Sequence, residues 1–509
     1  MLFVISTLFY TIFITIIHTK DYIFRNKIEI ICEQTLKGKD MATPNTHYGA
    51  ENIHLMLKEC NSIYFIGIGG INMSSLAHIS HLRGYRVGGS DREKTALTEK
   101  LRVQGLEIFY SHDAQNIENY DAVVYTVAIS PDNPEYVRAI ERGIPCISRA
   151  DYLGYLMLGY KNRIGVSGMH GKSTCTSMCA TVFMEADGDP TVLSGAELDA
   201  MGGAYCIGKS ENFIFEACEY MDSFLDFNPS LAIILNIELD HVDYFSDINQ
   251  VCYSYSRFAA LTGDNGIVIV NIDNEYVPRA LDGYAGKIVT FGVDTKSADY
   301  TAINIRYPKG FAEFDIMHWG EFIAHVKLSV TGEHNVYNAL AAFAAAHISG
   351  LDPEKIAKGL EKFQGAKRRM EFKGTVNGAL VFDDYGHHPT EVATTLNGVR
   401  RRGDIQRLFC VFQPHTYSRT YALMDDFAKS FDAVEKVYIS DIYPARETDD
   451  LGISGKTLAL RIGDKAEYIP DVESIAAELR ENLYPEDAVV VMGAGNVYRI
   501  FEYFDFDEE

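Results

Sequence analysis

Residues Gly165-Val-Ser-Gly168-Met169-His170-Gly171-Lys172-Ser173-Thr174 join an apolar run, Arg163-Ile-Gly-Val-Ser, to a stretch with helical spacing, Cys175–Glu185. A strand that runs through glycines into a helix belongs at the carboxyl edge of a parallel sheet, where the helix packs back on the strands. The amides from Gly168 to Ser173 can form an anion nest. Lys172 is placed to reach the β- and γ-phosphates of a nucleotide, and Ser173 or Thr174 to offer Mg2+ a hydroxyl. The spacing departs from the common GxxxxGK[ST] form, with Val at 166 and Gly168 three residues before Gly171.

Further strands alternate with helices on both sides of this loop, which predicts an α/β protein. Before it come Ser62–Gly67, Tyr85–Gly88, Ala122–Thr126 and Pro145–Ser148. After it come Phe213–Phe215, Leu231–Leu235, Ile267–Val270 and Val289–Phe291, then a β-rich stretch from Tyr300 to Val330 and an Ala-rich helix, Tyr337–Ile348. A third block has strands at Leu380–Asp383, Leu408–Phe412, Lys436–Ser440 and Ala488–Met492. At 509 residues the chain is too long for one core. We expect three domains, each with a mainly parallel sheet and flanking helices: 51–162, 163–366 and 367–509. The first 50 residues stand apart.

Met1 to His18 is an almost uncharged apolar run, and Lys20, Arg25, Lys27, Lys37 and Lys39 follow it. Two readings stay open. The run is an anchor, whose following cations keep the body in the cytoplasm, or it lies upstream of a start at Met41. Lys plus Arg number 46 against 70 Asp plus Glu, a net charge of −24, which argues against a nucleic-acid surface. The nine cysteines are scattered without a CxxC pair, so neither a disulfide framework nor a structural zinc site follows from them.

Other strand ends carry chemistry. The turn Gly67-Ile-Gly69-Gly70-Ile-Asn72 lacks the third glycine of a dinucleotide fingerprint, yet still lets backbone amides approach a pyrophosphate. Asp91, ending the second strand, is placed to bind a ribose hydroxyl. Glu216-Ala-Cys-Glu219 and Asn236-Ile-Glu-Leu-Asp240-His241 follow two strands beside the phosphate loop. Carboxylates there suit Mg2+, and His241 is a candidate ligand of a second metal. In the third block, Asp383-Asp384-Tyr385-Gly386-His387-His388 and Gln413-Pro414-His415-Thr416-Tyr417-Ser418-Arg419 follow two further strands. The planar fork of Arg419 suits a carboxylate.

GIGGINMSSLA at 67–77, GMHGKST at 168–174, EACEYMDSFL at 216–225, NIELDHVD at 236–243 and GEHNVYNALAA at 332–342 occur in this order. KRRME at 367–371, DDYGHHPTE at 383–391, QPHTYSRT at 413–420 and DIYPARE at 441–447 follow them. The set resembles the Mur ligases from about residue 60 to 500. The resemblance implies a Rossmann-like UDP-sugar domain, a P-loop ATPase-like central domain and a Rossmann-like domain that brings the amino acid. It implies ATP and Mg2+ as cofactors, and UDP-N-acetylmuramate and L-alanine as substrates, in a monomer or homodimer. The alternative is a recycling ligase that attaches a preformed peptide to the same sugar.

Carried over by resemblance, Lys172, His241, His387, His388, His415 and Arg419 take part in catalysis, one of the three C-terminal histidines accepting the amine proton. Gly168, Met169, His170, Gly171, Lys172, Ser173, Thr174, Asn335, Arg369 and Asp384 bind ATP. Gly69, Gly70, Ser90, Asp91, Thr126, Arg149, Tyr385, His415 and Arg419 bind the other substrates, and Ser173, Glu219 and His241 hold the metal. The chain departs from the family at Met169 (usually Thr), Cys218 (Asp), Tyr220 (Ser) and Asn496 (Asp).

Overall fold

The computed structural model describes residues 43–507 except 242, 243 and 446, so the apolar run at 1–18, anchor or upstream sequence, lies outside the described residues. Among the described residues no helix is long and apolar enough to cross a membrane. The chain divides into two compact units, one reaching to Arg149 apart from His47–His54, the other holding His47–His54 and Ala150–Glu509.

The first unit is built on five parallel strands, β1 (Ser62–Ile66), β2 (Arg86–Ser90), β3 (Glu107–Phe109), β4 (Ala122–Tyr125) and β5 (Cys146–Ser148), in the order β3-β2-β1-β4-β5. β1 and β4 are buried at every position, as continuous apolar runs in parallel sheets should be. The order reverses at β1, so its carboxyl end opens on the crevice where ligands of such sheets bind.

The second unit holds two sheets. The larger has ten strands: β6 (Asn162–Ser167), β7 (Thr191–Leu198), β8 (Gly203–Cys206), β9 (Asn212–Glu216), β10 (Leu231–Ile234), β11 (Ile267–Asn271), β12 (Lys287–Gly292), β13 (Tyr300–Arg306), β14 (Phe311–His318) and β15 (Glu321–Thr331). Strands β7, β9, β6, β10, β11, β12 and β13 pair in parallel, with β8 antiparallel at one edge and β14 and β15 antiparallel at the other. The β-rich stretch from Tyr300 is therefore an antiparallel extension of the parallel sheet. Helices Lys172–Glu185 and His334–Ile348 pack into the same core, the second through a nearly continuous buried run of alanines.

The smaller sheet comprises β16 (Glu371–Val376), β17 (Ala379–Asp384), β18 (Arg407–Phe412), β19 (Lys436–Ile439), β20 (Ala466–Tyr468) and β21 (Asp487–Met492), ordered β16-β17-β21-β18-β19-β20. Only β16 is antiparallel. Both long helices start earlier than the apolar spacing predicts. Lys172 to Thr174 already belong to the first, because the left-handed Gly171 (φ +83°) ends the loop immediately before Lys172. His334 opens the second, before the alanine run becomes visible.

Candidate active site

The loop after β6 turns on two glycines at positive φ, Gly168 (+144°) and Gly171 (+83°). A Cβ at Gly168 would lie 2.9 Å from Leu235 Cβ, and one at Gly171 would lie 2.7 Å from Asn338 Oδ1, so neither position admits a larger residue in this conformation. Lys172 folds over its own loop, Nζ donating to the carbonyls of Gly168 (2.6 Å) and Met169 (3.1 Å). It also pairs with Glu219 at 3.0 Å. Glu219 is fully buried, and His241 Nε2 lies 3.2 Å from its Oε1.

Burial alone would push Glu219 up, but Lys172 and His241 outweigh it and hold the carboxyl below its ordinary value. Lys172 is likewise held above the ordinary lysine value, its burial overcome by Glu219 and the neighbouring acids. Ser173 Oγ donates to Glu216 Oε2 at 2.9 Å. Glu216, which ends β9, is thus a second carboxylate at this edge, besides the expected metal ligand Glu219. His241 adopts φ +51°, as do Met221 (+53°) and Asp222 (+54°) beside Glu219, uncommon values for non-glycine residues that gather at this strand edge.

Three of the departures from the family pattern touch this edge without adding charge. Met169 is buried. Burial pushes the Cys218 thiol up to about 11, so it stays protonated and is a poor metal ligand. The ring of Tyr220 stands 4.7 Å from that of His241, supporting the imidazole where a serine could not.

A cavity of about 720 Å3 opens next to the loop, in the range that holds a nucleotide-sized ligand. His170, Gly171, Thr174, Asn335, Arg369 and Asp384 line it, six of the residues expected at a nucleotide. Asn271, Asn274 and Asn338 line it too; the first two lie in no sequence motif, and Asn338 lies within GEHNVYNALAA without an expected role. Asn335 is fixed by its donation to Thr331 O (2.7 Å) and by the Asn338 amide donating to its Oδ1 (3.0 Å). Arg369 Nη2 reaches Ser173 Oγ at 3.4 Å, and its guanidinium sits 5.1 Å from the centre of the Tyr385 ring. Asp384 accepts the amides of Gly386 (2.7 Å) and Met370 (2.9 Å), and burial raises its carboxyl to about 6 despite Arg369.

The ends of β17 and β18 bring His387, His388, His415 and Arg419 to one rim. The protons can be placed by partner chemistry. His387 Nδ1 faces the carbonyl of Tyr385 at 3.1 Å, which can only accept, so Nδ1 carries the hydrogen and Nε2 the lone pair. His415 Nδ1 lies 3.2 Å from Arg419 Nη1, which can only donate, so its tautomer is the opposite. Burial lowers both imidazoles to about 4, helped by Arg419 at each. His388 is buried and caps the helix Pro389–Arg400. Arg419 is buried and donates through Nε to Asp240 Oδ1 at 3.1 Å, a partner that the sequence reading did not foresee. Burial would raise Asp240, but Arg419 holds it well below the usual carboxylate range.

In the first unit, Gly69, Gly70, Ser90, Asp91, Thr126 and Arg149 all fall at or just beyond the carboxyl ends of β1, β2, β4 and β5. Asp91 Oδ2 accepts the Gly69 amide at 2.8 Å, so the carboxylate expected at a ribose also holds the glycine turn.

A five-stranded parallel sheet with a glycine turn and a larger, mainly parallel sheet with a lysine–carboxylate–histidine cluster at its glycine loop define the class. Three family models cover most of the chain: "Mur ligase family, catalytic domain" over 62–161, "Mur ligase middle domain" over 166–346 and "Mur ligase, glutamate ligase domain" over 368–495. The chain belongs to the Mur ligase family. Among its relatives is the UDP-N-acetylmuramate–L-alanine ligase of Caldanaerobacter subterraneus subsp. tengcongensis, 46% identical over 88% of this chain and 98% of that one. The ligase of the same description from Acetivibrio thermocellus is 44% identical over 88% and 96%. The solved UDP-N-acetylmuramate–alanine ligase of Thermotoga maritima matches with a TM-score of 0.73 at 28% identity, over 87% of this chain and 98% of that one.

Proposed function

We propose that this chain joins L-alanine to the lactyl carboxylate of UDP-N-acetylmuramate at the expense of ATP, the first amide of the peptidoglycan peptide stem. The observation that carries this is the 46% identity to an L-alanine ligase over 98% of that relative's length. A solved murein peptide ligase from Psychrobacter arcticus is 24% identical (TM-score 0.63, over 87% and 98%), a likeness of fold alone, so the recycling alternative has weaker support. Residues 51–162 would bind the UDP-sugar, 163–366 the nucleotide and 367–509 the amino acid. The reaction would run in the cytoplasm, where ATP and UDP-sugars are found.

A carboxylate oxygen is a poor leaving group, so phosphorylation must come first. In our reading the lactyl carboxylate attacks the γ-phosphorus, ADP leaves, and the amine of L-alanine displaces phosphate from the acyl phosphate. Lys172 exchanges its loop carbonyls and Glu219 for phosphate oxygens and neutralises charge as it develops there. Two carboxylates, a hydroxyl and an imidazole at one strand edge fit a hard divalent cation. Ser173, Glu219 and His241 would hold Mg2+, which supplies further charge neutralisation when bound. His387, with its Nε2 lone pair exposed by the Tyr385 contact, is the best placed of the three histidines to accept the amine proton. Arg419 binds the amino acid's carboxylate while it remains tied to Asp240. With the lactyl carboxylate labelled by 18O, one labelled oxygen must appear in inorganic phosphate. Unlabelled phosphate would reject the acyl phosphate.

A further inference from the structure

Beside the Lys172–Glu219–His241 cluster, three segments meet at a second set of potential metal ligands, of which His170 and Glu238 also line the nucleotide-sized cavity. His170 comes from the phosphate loop, Glu238 from the segment after β10, and His388 from the start of the helix Pro389–Arg400. One ligand atom from each lies within 4.8 Å of the other two. His170 Nε2 is 3.0 Å from Glu238 Oε2, and the two imidazole rings are 4.9 Å apart. His388 is only 3% exposed, yet its Nε2 finds no hydrogen-bond partner among the described residues. Buried polar atoms are seldom left so, and this one belongs to a ring that neighbours two other potential ligands.

We propose that His170, Glu238 and His388 form a separate site for a borderline transition-metal cation of the Zn2+ class. Two imidazoles and one carboxylate are a common zinc donor set and a poor one for Mg2+, which demands oxygen. The surroundings orient two of the ligands, His170 and Glu238, as such a site requires. Glu391 Oε1 lies 3.2 Å from His170 Nδ1 and fixes the proton there, freeing Nε2 for the metal. Thr390 donates its hydroxyl to Glu238 Oε1 at 2.6 Å, leaving Oε2 as the ligand atom. Glu391 is itself anchored by the amides of His387 (2.9 Å) and His388 (3.2 Å).

Two adjustments accompany binding. Zinc bonds of about 2.0–2.1 Å place tetrahedral ligand atoms roughly 3.3 Å apart, so the trio contracts by small ring rotations. His388 Nδ1 accepts the Thr390 amide over a long 3.3 Å, and binding at Nε2 puts a proton on Nδ1 and releases that contact. A bound cation would tie the phosphate loop to the helix Pro389–Arg400 and so impede the movements that admit and release nucleotide.

The test uses the full chain, stripped with chelator and held in excess Mg2+ to fill oxygen-rich positions. Zn2+ binding is followed by calorimetry, and Co2+ by its visible spectrum. We expect one equivalent of Zn2+ and a tetrahedral Co2+ spectrum. Glu238→Gln and His388→Ala should each weaken Zn2+ at least about ten-fold, since even outer partners of a metal site cost that much. Glu219→Gln should leave Zn2+ affinity unchanged. No Zn2+ uptake in Mg2+, uptake that survives both ligand variants, or uptake lost with Glu219→Gln would each overturn the proposal. Circular dichroism establishes that each variant is folded, and Glu238→Gln decides alone if His388→Ala is not.

Discussion

At the carboxyl end of β1 a glycine turn is held by an acid, Asp91, which accepts the Gly69 amide. At the carboxyl end of β6 a glycine turn is capped by a cation, Lys172, which is pinned to two of the loop's own carbonyls and to buried Glu219. The local scaffolds are alike: a fully or mostly buried parallel strand, glycines at positive φ, and a helix starting at once. What separates them is charge. The first turn offers amides and a single carboxylate, Asp91, which in the proposed function suffice for a ligand whose charge does not change. The second concentrates a lysine, two carboxylates and an imidazole in a buried setting, where interactions with a transferring phosphoryl group are strongest. In the proposed function, similar backbone thus serves as a binding site in one place and a reaction centre in the other.

The largest effect should follow loss of the cation that makes the difference. Lys172→Ala should lower turnover by at least about 10^3-fold, the scale at which single charge-stabilising groups act in phosphoryl transfer, while circular dichroism stays unchanged. The lysine touches polar atoms and supports no apolar core. Activity within a few-fold of the parent would erase the distinction between the two turns.

Next in size, Arg419→Ala should raise the Michaelis constant for L-alanine by an amount equivalent to about 2–4 kcal/mol, with a far smaller change for the UDP-sugar. Because it also leaves Asp240 buried and unpaired, the variant should melt at a lower temperature than the parent. A collapse in turnover at saturating alanine, with the Michaelis constant unmoved, would assign Arg419 to the phosphate instead. Asp91→Ala should do the reverse, raising the Michaelis constant for the UDP-sugar about ten-fold, the value of one hydrogen bond to a charged group. If alanine binding suffers equally, the first turn is not a dedicated sugar site. Smallest of all, a chain beginning at Met41 should keep full activity and solubility. Loss of folding would show that residues 1–40 pack on the body.

Much of this contrast was legible in the sequence because strand ends and glycine loops are local. GMHGKST and GIGG announce their turns by composition, and parallel-sheet topology then places both at carboxyl edges. The boundaries were less legible. Lys172 reads as loop until the left-handed Gly171 is seen to end it, and β7 with β8 gave no apolar alternation strong enough to notice. Pairings across long separations were not legible at all. Arg419 meets Asp240 across 179 residues, and Thr390 meets Glu238 across 152. Nothing in either local pattern marks its partner. The tautomers of His387 and His415 likewise depend on a backbone carbonyl and a guanidinium that only the fold supplies.

The central claim is that the buried charged turn drives an amide bond between one sugar nucleotide and one small amino acid. Its most direct measurement is ADP release by the purified chain with ATP, Mg2+ and UDP-N-acetylmuramate, comparing L-alanine, L-serine, glycine and a preformed stem tripeptide. Release should require the sugar nucleotide, be fastest per unit concentration with L-alanine, and be negligible with tripeptide. Faster release with tripeptide than with L-alanine, or release of ADP indifferent to the sugar, would contradict the account.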